Sequence, residues 1–342
     1  MHSLPFEQGP IRPVDEADSL LIRTTRGCPW NRCTFCSLYE DTKFSLRSTA
    51  EIKQDILAAQ VYFNGHPFET CFLQDGDSFV MKTRDLIEVL AALKTAFLSL
   101  KRISSYGRAQ TMVKKTPTEM KDIRDAGLNK LYCGMESGSL EVLEKVKKGI
   151  TPESIIKSAR MAADAGMDTT QFIILGLGGI ELSDIHARET ARVLSIVNPD
   201  YIRVLTIGVK PGSGLDRQMA QKEFTLPSEI QMIAEQRQLL EQLTGITSHY
   251  ANHHSVDLLL EVRGTFPQDR ERLIAGLDRF LSLDPEAQIH FILGRRLGYY
   301  RSLSDMDNSF HHRFVEEQVQ KIRQTHPDGF EQIFHDLRCR VI

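Results

Sequence analysis

The sequence predicts an α/β fold built on a parallel sheet, and three observations carry that prediction. Between residues 20 and 207, short apolar runs and amphipathic stretches alternate, giving six strands separated by helices. Helix-start signals stand in front of several amphipathic stretches, with a Ser or Thr cap and a carboxylate or proline at the right offset. Twice, at Asp125-Ala126-Gly127 and Asp164-Ala165-Gly166, a helical stretch closes on the same tripeptide just before a strand. Glycine there supplies the left-handed residue that ends a helix.

Taken in order, residues 1–18 are polar, hold Pro5, Pro10 and Pro13, and read as an extended lead-in. Leu20–Thr24 is the first strand and runs directly into a cysteine-rich loop. Ser48 and Glu51 form a capping box for a helix carrying Ile52, Ile56, Ala59 and Phe63 at helical spacing. Cys71–Gln74 is the second strand, followed by a helix with Leu86, Leu90, Leu93 and Phe97 on one face. Arg102–Tyr106 is the third, and Thr116-Pro117 opens the next helix with Glu119 in its first turn. Lys130–Cys133 makes the fourth strand and Thr151-Pro152 opens another helix. Thr170–Leu175 is the fifth, a helix near 183–197 follows, and Tyr201–Ile207 is the sixth. A doubly wound sheet and an incomplete barrel fit this alternation equally well. Beyond Pro227 the alternation stops, and helices are predicted over 228–243, 268–283, 310–325 and 328–338.

The composition is that of an ordinary globular protein, with 41% apolar and 25% charged residues in 342 and a formal net charge of −3. Such a balance gives no electrostatic footprint for nucleic acid. No apolar run approaches the length of a membrane span, and the N-terminus lacks the features of a signal peptide. A cytoplasmic, reducing location is therefore expected, where clustered cysteines serve as metal ligands or redox groups rather than disulfides.

Cys28, Cys33 and Cys36 fall within nine residues, directly after the first strand, whereas Cys71, Cys133 and Cys339 are scattered. Three thiolates on one loop can hold a metal centre and leave a coordination position open. A structural zinc needs a fourth ligand, and the chain has no second Cys-x-x-Cys or His-x-x-x-His to supply it. An electron-transfer cluster uses four cysteines. Cys71 and Cys133, on predicted strands, are candidates for an auxiliary ligand or hydrogen donor, with a buried core thiol as the simpler reading.

The spacing Cys28-x4-Cys33-x2-Cys36, with Phe35 before the last cysteine, resembles the cluster loop of radical S-adenosylmethionine (radical SAM) enzymes. Most of that superfamily has three residues between the first two cysteines; this chain has four, Pro29 to Arg32. Gly134-Met-Glu-Ser-Gly-Ser139 is similar to a segment of the subgroup that includes Elp3-like, methylthiotransferase (MiaB)-like and NifB-like enzymes. The resemblance implies a partial (β/α)6 TIM-type barrel over residues 19–226, with a helical C-terminal extension, 227–342, closing the substrate side. It implies a [4Fe–4S] cluster on Cys28, Cys33 and Cys36, with S-adenosylmethionine chelating the open iron. Phe35 would pack on adenine, and Asp75-Gly76-Asp77 would receive the methionine amino group. Glu136, with Ser137 beside it, would bind the ribose, and Lys148 or its neighbour Lys147 the methionine carboxylate. Phe172–Gly178 stands where the family has its fifth-strand segment. Asn252 and His253, in the run Ser248-His-Tyr-Ala-Asn-His-His-Ser255, would line the substrate cavity. Flavodoxin or ferredoxin would supply the electron, and the substrate is not named by the sequence. The competing expectations are a non-catalytic or regulatory protein binding an iron–sulfur centre or zinc, and a zinc hydrolase on the same sheet.

Overall fold

A computed structural model describes residues 4–252, 254–326 and 329–340. Eight strands form one sheet, in chain order β1 (Leu20–Arg23), β2 (Thr70–Gln74), β3 (Arg102–Tyr106), β4 (Leu128–Glu136), β5 (Asp168–Leu175), β6 (Tyr201–Thr206), β7 (His249–Asn252) and β8 (Arg263–Thr265). Neighbours in sequence are neighbours in the sheet. Pairs β1–β2, β2–β3, β3–β4 and β6–β7 are parallel, and β7–β8 is antiparallel. All six predicted strands are present. The fold is the α/β class expected, with the mostly parallel sheet of a partial barrel.

The helix starts follow the sequence signals. Ser48 caps α1 (Thr49–Tyr62) in a full capping box with Glu51, and α2 (Thr83–Ala96) follows β2. Thr116 and Glu119 box the start of α3 (Pro117–Ala126), and Thr151 caps α4 (Pro152–Asp164) with proline at its first position. Each such cap contributes about 1 kcal/mol. Gly127 (φ +125°) and Gly166 (φ +77°) take up the backbone conformation that the repeated Asp-Ala-Gly ending called for.

By internal contacts the chain divides into two compact units. One holds residues up to Met135 together with Gly149–Gln171, the other Glu136–Lys148 together with Phe172 onward. In the first unit the two faces of the strands differ sharply. Leu20, Ile22, Cys71, Leu73, Ile103, Leu131 and Cys133 join Ile52, Ile56, Leu86, Leu90, Met120 and Ile123 of the helices in one hydrophobic core. Full burial of each such aliphatic side chain stabilises the fold by roughly 1.5–3 kcal/mol. Cys71 and Cys133 belong to this helix-side core, and burial pushes the Cys71 thiol well above its ordinary range. The alternate residues face away from the helices. There Phe72, Tyr106 and Tyr132 form an edge-to-face trio with ring centroids 5.0–6.2 Å apart.

The second unit adds α5 (Ser183–Val197) and α6 (Glu229–Gln242) and a helical tail. The helix Pro285–Arg296 and the strands β7 and β8 were not predicted. Asp284, whose side chain caps that helix ahead of Pro285, is the signal that could have revealed it. Among the described residues, no helix is long and apolar enough to cross a membrane.

Candidate functional site

The cysteine loop is pinned at its base. Thr25–Arg26 pairs with Ser45–Leu46 in a two-residue antiparallel ladder, so residues 27–44 leave and return at one place. Gly27 turns the chain at φ +79° and gives its N–H to Asp75 Oδ2 (2.8 Å), the residue that follows β2. Asn31 adopts a left-handed conformation (φ +44°) and its amide donates to the Tyr39 carbonyl (2.7 Å). Asn tolerates a positive φ that bulkier residues do not. Cys36 N–H donates to Cys33 O at 3.2 Å. All three thiols are half-buried.

Trp30, inside the four-residue gap, has the guanidinium groups of Arg32 and Arg108 at 5.2 and 5.9 Å from its ring. Its indole covers Gly149, where an added Cβ would stand 2.3 Å from the ring. Phe35 lies on the same loop, half-buried. Gly76 meets Cys28 directly: a Cβ there would fall 3.1 Å from both the Cα and the Cβ of Cys28. Glycine at this position is what lets the end of β2 approach the first cysteine.

The acids flanking Gly76 are both fully buried. Asp75 Oδ2 takes Arg23 Nε (2.9 Å), Arg23 Nη2 (2.6 Å) and Gly27 N–H. Burial raises its pKa, against the opposing pull of Arg23. Asp77 accepts from Thr111 Oγ1 (2.5 Å) and Phe79 N–H (3.1 Å), and burial pushes its pKa up to about 6. Asp75 thus carries the loop, and Asp77 ties the turn after β2 to the segment after β3.

Several buried polar atoms in this neighbourhood have no hydrogen-bond partner among the described residues, among them the Thr25, Thr34 and Tyr39 hydroxyls and Asp75 Oδ1. Burial, and next the Asp75 carboxylate, hold the Tyr39 phenol above its ordinary range; Cys28 also acts on it. Buried phenols and carboxylates are normally satisfied. Unpartnered hydroxyls at Thr34 and Tyr39 on the same loop as three half-buried thiols form a donor set that fits a sulfur-ligated cluster with a polar ligand. Among the described residues no three His, Cys, Asp or Glu gather as ligands of a single ion, the arrangement structural zinc requires. Three thiolates on three different irons of a cluster need no such convergence.

The ribose and carboxylate candidates lie in the second unit and are brought together there. Lys148 Nζ donates to Glu136 Oε1 at 2.6 Å, with both side chains about nine-tenths buried. Glu136 sits at φ +60°, a conformation uncommon for a residue with a Cβ. Lys147 is exposed. Ser137 turns to α5, its hydroxyl 2.8 Å from His186 Nδ1, while His186 Nε2 lies 3.0 Å from Ile174 O. Gly138 lets α5 come close, since a Cβ there would lie 2.2 Å from Glu189 O. The turn after β5 is held by a residue sequence reasoning missed: Glu235 accepts from Gly176 N–H (2.7 Å) and Ser183 Oγ (2.5 Å).

Asn252 is fully buried and exchanges hydrogen bonds with Gln236 (2.7 and 3.2 Å), also donating to Leu259 O (3.2 Å). Its amide is used in joining β7 to α6. His253 lies outside the described residues. Nearby, Asp257 is fully buried with a pKa pushed up to about 7 by burial, and accepts from His254 N–H (3.0 Å) and Thr206 Oγ1 (3.2 Å).

A family model described as the Radical SAM superfamily matches residues 22–191, which include the cysteine loop, Gly76, Glu136 and Lys148. An uncharacterized methyltransferase of Pyrococcus horikoshii is 26% identical over 219 residues, 62% of this chain and 45% of its own. A bacteriochlorophyllide d C-8(2)-methyltransferase of Chlorobaculum tepidum is 29% identical over 141 residues, 40% of this chain and 30% of that protein. The chain thus spans less than half the length of these curated relatives. Among solved structures, coproporphyrinogen III oxidase (HemN) from Escherichia coli is similar with a TM-score of 0.50 and 19% identity, over 66% of this chain and 50% of that one. At that identity the likeness is one of fold.

Proposed function

The chain belongs to the radical SAM superfamily of enzymes, whose cofactors are a [4Fe–4S] cluster and S-adenosylmethionine, and on that premise we propose that it abstracts hydrogen from its substrate. When bound, the reduced cluster supplies the electron that splits S-adenosylmethionine into methionine and a 5′-deoxyadenosyl radical. In this reading Cys28, Cys33 and Cys36 hold three irons. The observation that carries it is the half-buried three-thiol loop with the unpartnered Thr34 and Tyr39 hydroxyls on it and Gly76 packed against Cys28.

Each remaining residue has a role its surroundings allow. Gly76, having no side chain, leaves backbone accessible beside Cys28 for the methionine amino group. Phe35 offers an apolar face to adenine. The ammonium of Lys148 fixes the Glu136 carboxylate, and a carboxylate is a strong acceptor for ribose hydroxyls. Lys148 is also the cation offered to the methionine carboxylate. Asp77 and Ser137 support the neighbouring Gly76 and Glu136 through the hydrogen bonds they already make, while Asn252 joins β7 to α6 through Gln236. A low-potential donor such as flavodoxin or ferredoxin would deliver the electron in a reducing cytoplasm. We assign residues 19–226 to the core of the site and 227–342 to the extension bearing on the substrate.

Anaerobic reconstitution tests the assignment. About four irons per chain are expected, with iron–sulfur absorbance that dithionite bleaches. Stoichiometric zinc without that absorbance would overturn it. The names of both curated relatives favour a second reading, methyl transfer. Carbon-labelled methyl on S-adenosylmethionine separates the two: label in the product marks methyl transfer, and label left in methionine marks hydrogen abstraction alone.

A further inference from the structure

Phe6 packs on the helix side against Tyr62 and Phe63, and between Gly9 and Glu16 the chain runs along the face of β1–β4 that is turned away from the helices. At one end of this strap Glu16 is fully buried and accepts from Arg102 Nη2 (3.0 and 3.1 Å), Ser104 Oγ (2.9 Å), Tyr132 Oη (2.6 Å) and Ser19. Further along, Gln74 at the end of β2 accepts from Gly9 N–H (2.9 Å) and donates to Gly9 O (3.2 Å) and Ile11 O (3.1 Å). A Cβ on Gly9 would stand 2.1 Å from Asp75 Oδ1. Glu7 then takes Arg23 (2.8 Å), Arg26 (2.7 Å) and, at 3.5 Å, Arg47.

These contacts share one target. Arg26 stands two residues before Cys28, and Asp75 holds Gly27 N–H, so Glu7 and Gly9 bear on both anchors of the cysteine loop. Arg23 and Gln74 close β1 and β2, and a parallel sheet carries its site at those strand ends. The strap therefore reaches the level of the site. It precedes the stretch that the family model covers, which begins at residue 22.

We propose that residues 7–16 are a positioning element of the cluster site: Glu7 and Gly9 fix the first turn of the cysteine loop, and Glu16 locks the strap in place as a permanent floor under it. The inference rests on the radical SAM reading. Glu7 is the counter-charge shared by Arg23, Arg26 and Arg47, which also pair with Asp75, Glu51 and Asp55. Its removal leaves the loop more positive, which favours the reduced cluster, and leaves Arg26 held by its longer contact to Glu51 (3.3 Å). A methyl group on Gly9 forces Asp75 away and loosens its hold on Gly27.

The test uses the full chain, reconstituted anaerobically, as wild type, Glu7→Gln, Glu7→Asp and Gly9→Ala. The readouts are the midpoint potential of the cluster, its electron paramagnetic resonance spectrum with and without S-adenosylmethionine, and iron retention against a chelator. Glu7→Gln is expected to move the potential upward, to alter the spectral change on adding S-adenosylmethionine and to weaken iron retention about tenfold, as loss of a supporting shell does. Glu7→Asp restores part of each, and Gly9→Ala weakens retention in the same direction. Wild-type potential and spectra in both Glu7→Gln and Gly9→Ala would overturn the proposal. Should Gly9→Ala lose its fold, the two Glu7 variants decide between these outcomes. Wild-type protein that holds no cluster overturns the function instead, and the strap's role with it.

Discussion

The cysteine loop and the Glu136–Lys148 pair are both buried polar constructions, but they are finished in opposite ways. Around the loop, backbone and charge networks hold the anchors firmly, while the Thr34 and Tyr39 hydroxyls are left open among the described residues. In the pair, each charge is already answered by the other at 2.6 Å. Open buried groups cost free energy until a ligand meets them. A closed pair stabilises the fold and is set up to share its charge with a ligand. The loop is built to wait for its occupant; the pair is built to persist without one.

Substitutions at the loop should therefore cost occupancy, and those at the pair stability. Replacing Cys28, Cys33 or Cys36 by Ala has the largest expected effect, complete loss of the iron–sulfur absorbance with little change in the urea midpoint. Glu136→Gln should lower stability by roughly 3–5 kcal/mol, because it takes the carboxylate out of a buried ion pair. Urea unfolding checks this, and the double variant Glu136→Gln/Lys148→Met should recover part of the loss. An unchanged midpoint in Glu136→Gln would erase the contrast between the two regions.

Gly76→Ala sharpens the loop side. Its Cβ would sit 3.1 Å from Cys28, and iron affinity should fall by about 10–100-fold while the fold survives, as when a supporting contact behind a ligand is disturbed. Chelator competition measures it. The smallest effect expected is a pH dependence. Asp77 is raised to about 6, so the folded state holds its proton more tightly than the unfolded chain, whose Asp titrates near the ordinary value. Its stabilising contribution is full below about pH 4 and is lost as pH rises through about 6, and Asp77→Asn should flatten the stability profile across that window.

How much of this was legible in the sequence depended on the reach of the interaction. The caps at Ser48, Thr116 and Thr151 and the two Asp-Ala-Gly endings act within one turn of helix, and each could be read from neighbouring letters. The four-residue β7 has too few positions for a period to register, and it was read as a histidine-rich run. The cysteines, Gly76, Glu136 and Lys148 could be named because their residue types carry the chemistry. Asp75 was chosen as a ligand group, yet one oxygen is committed to Gly27 and Arg23, 48 and 52 residues away. Asn252 was chosen for its polarity, and its partner Gln236, on α6, could not be inferred from spacing. The lead-in reads from its prolines only as an extended approach to the first strand. Its contacts include residues distant in sequence, at Gln74, Ser104 and Tyr132.

The central claim, that the three-thiol loop holds a cluster which cleaves S-adenosylmethionine, is tested most directly by 5′-deoxyadenosine. The reconstituted wild-type chain, given S-adenosylmethionine and dithionite without oxygen, should form 5′-deoxyadenosine, and Cys28→Ala, Cys33→Ala and Cys36→Ala should form none. Wild-type protein that holds its iron yet yields no 5′-deoxyadenosine, or a cysteine variant that yields as much as wild type, would contradict the account.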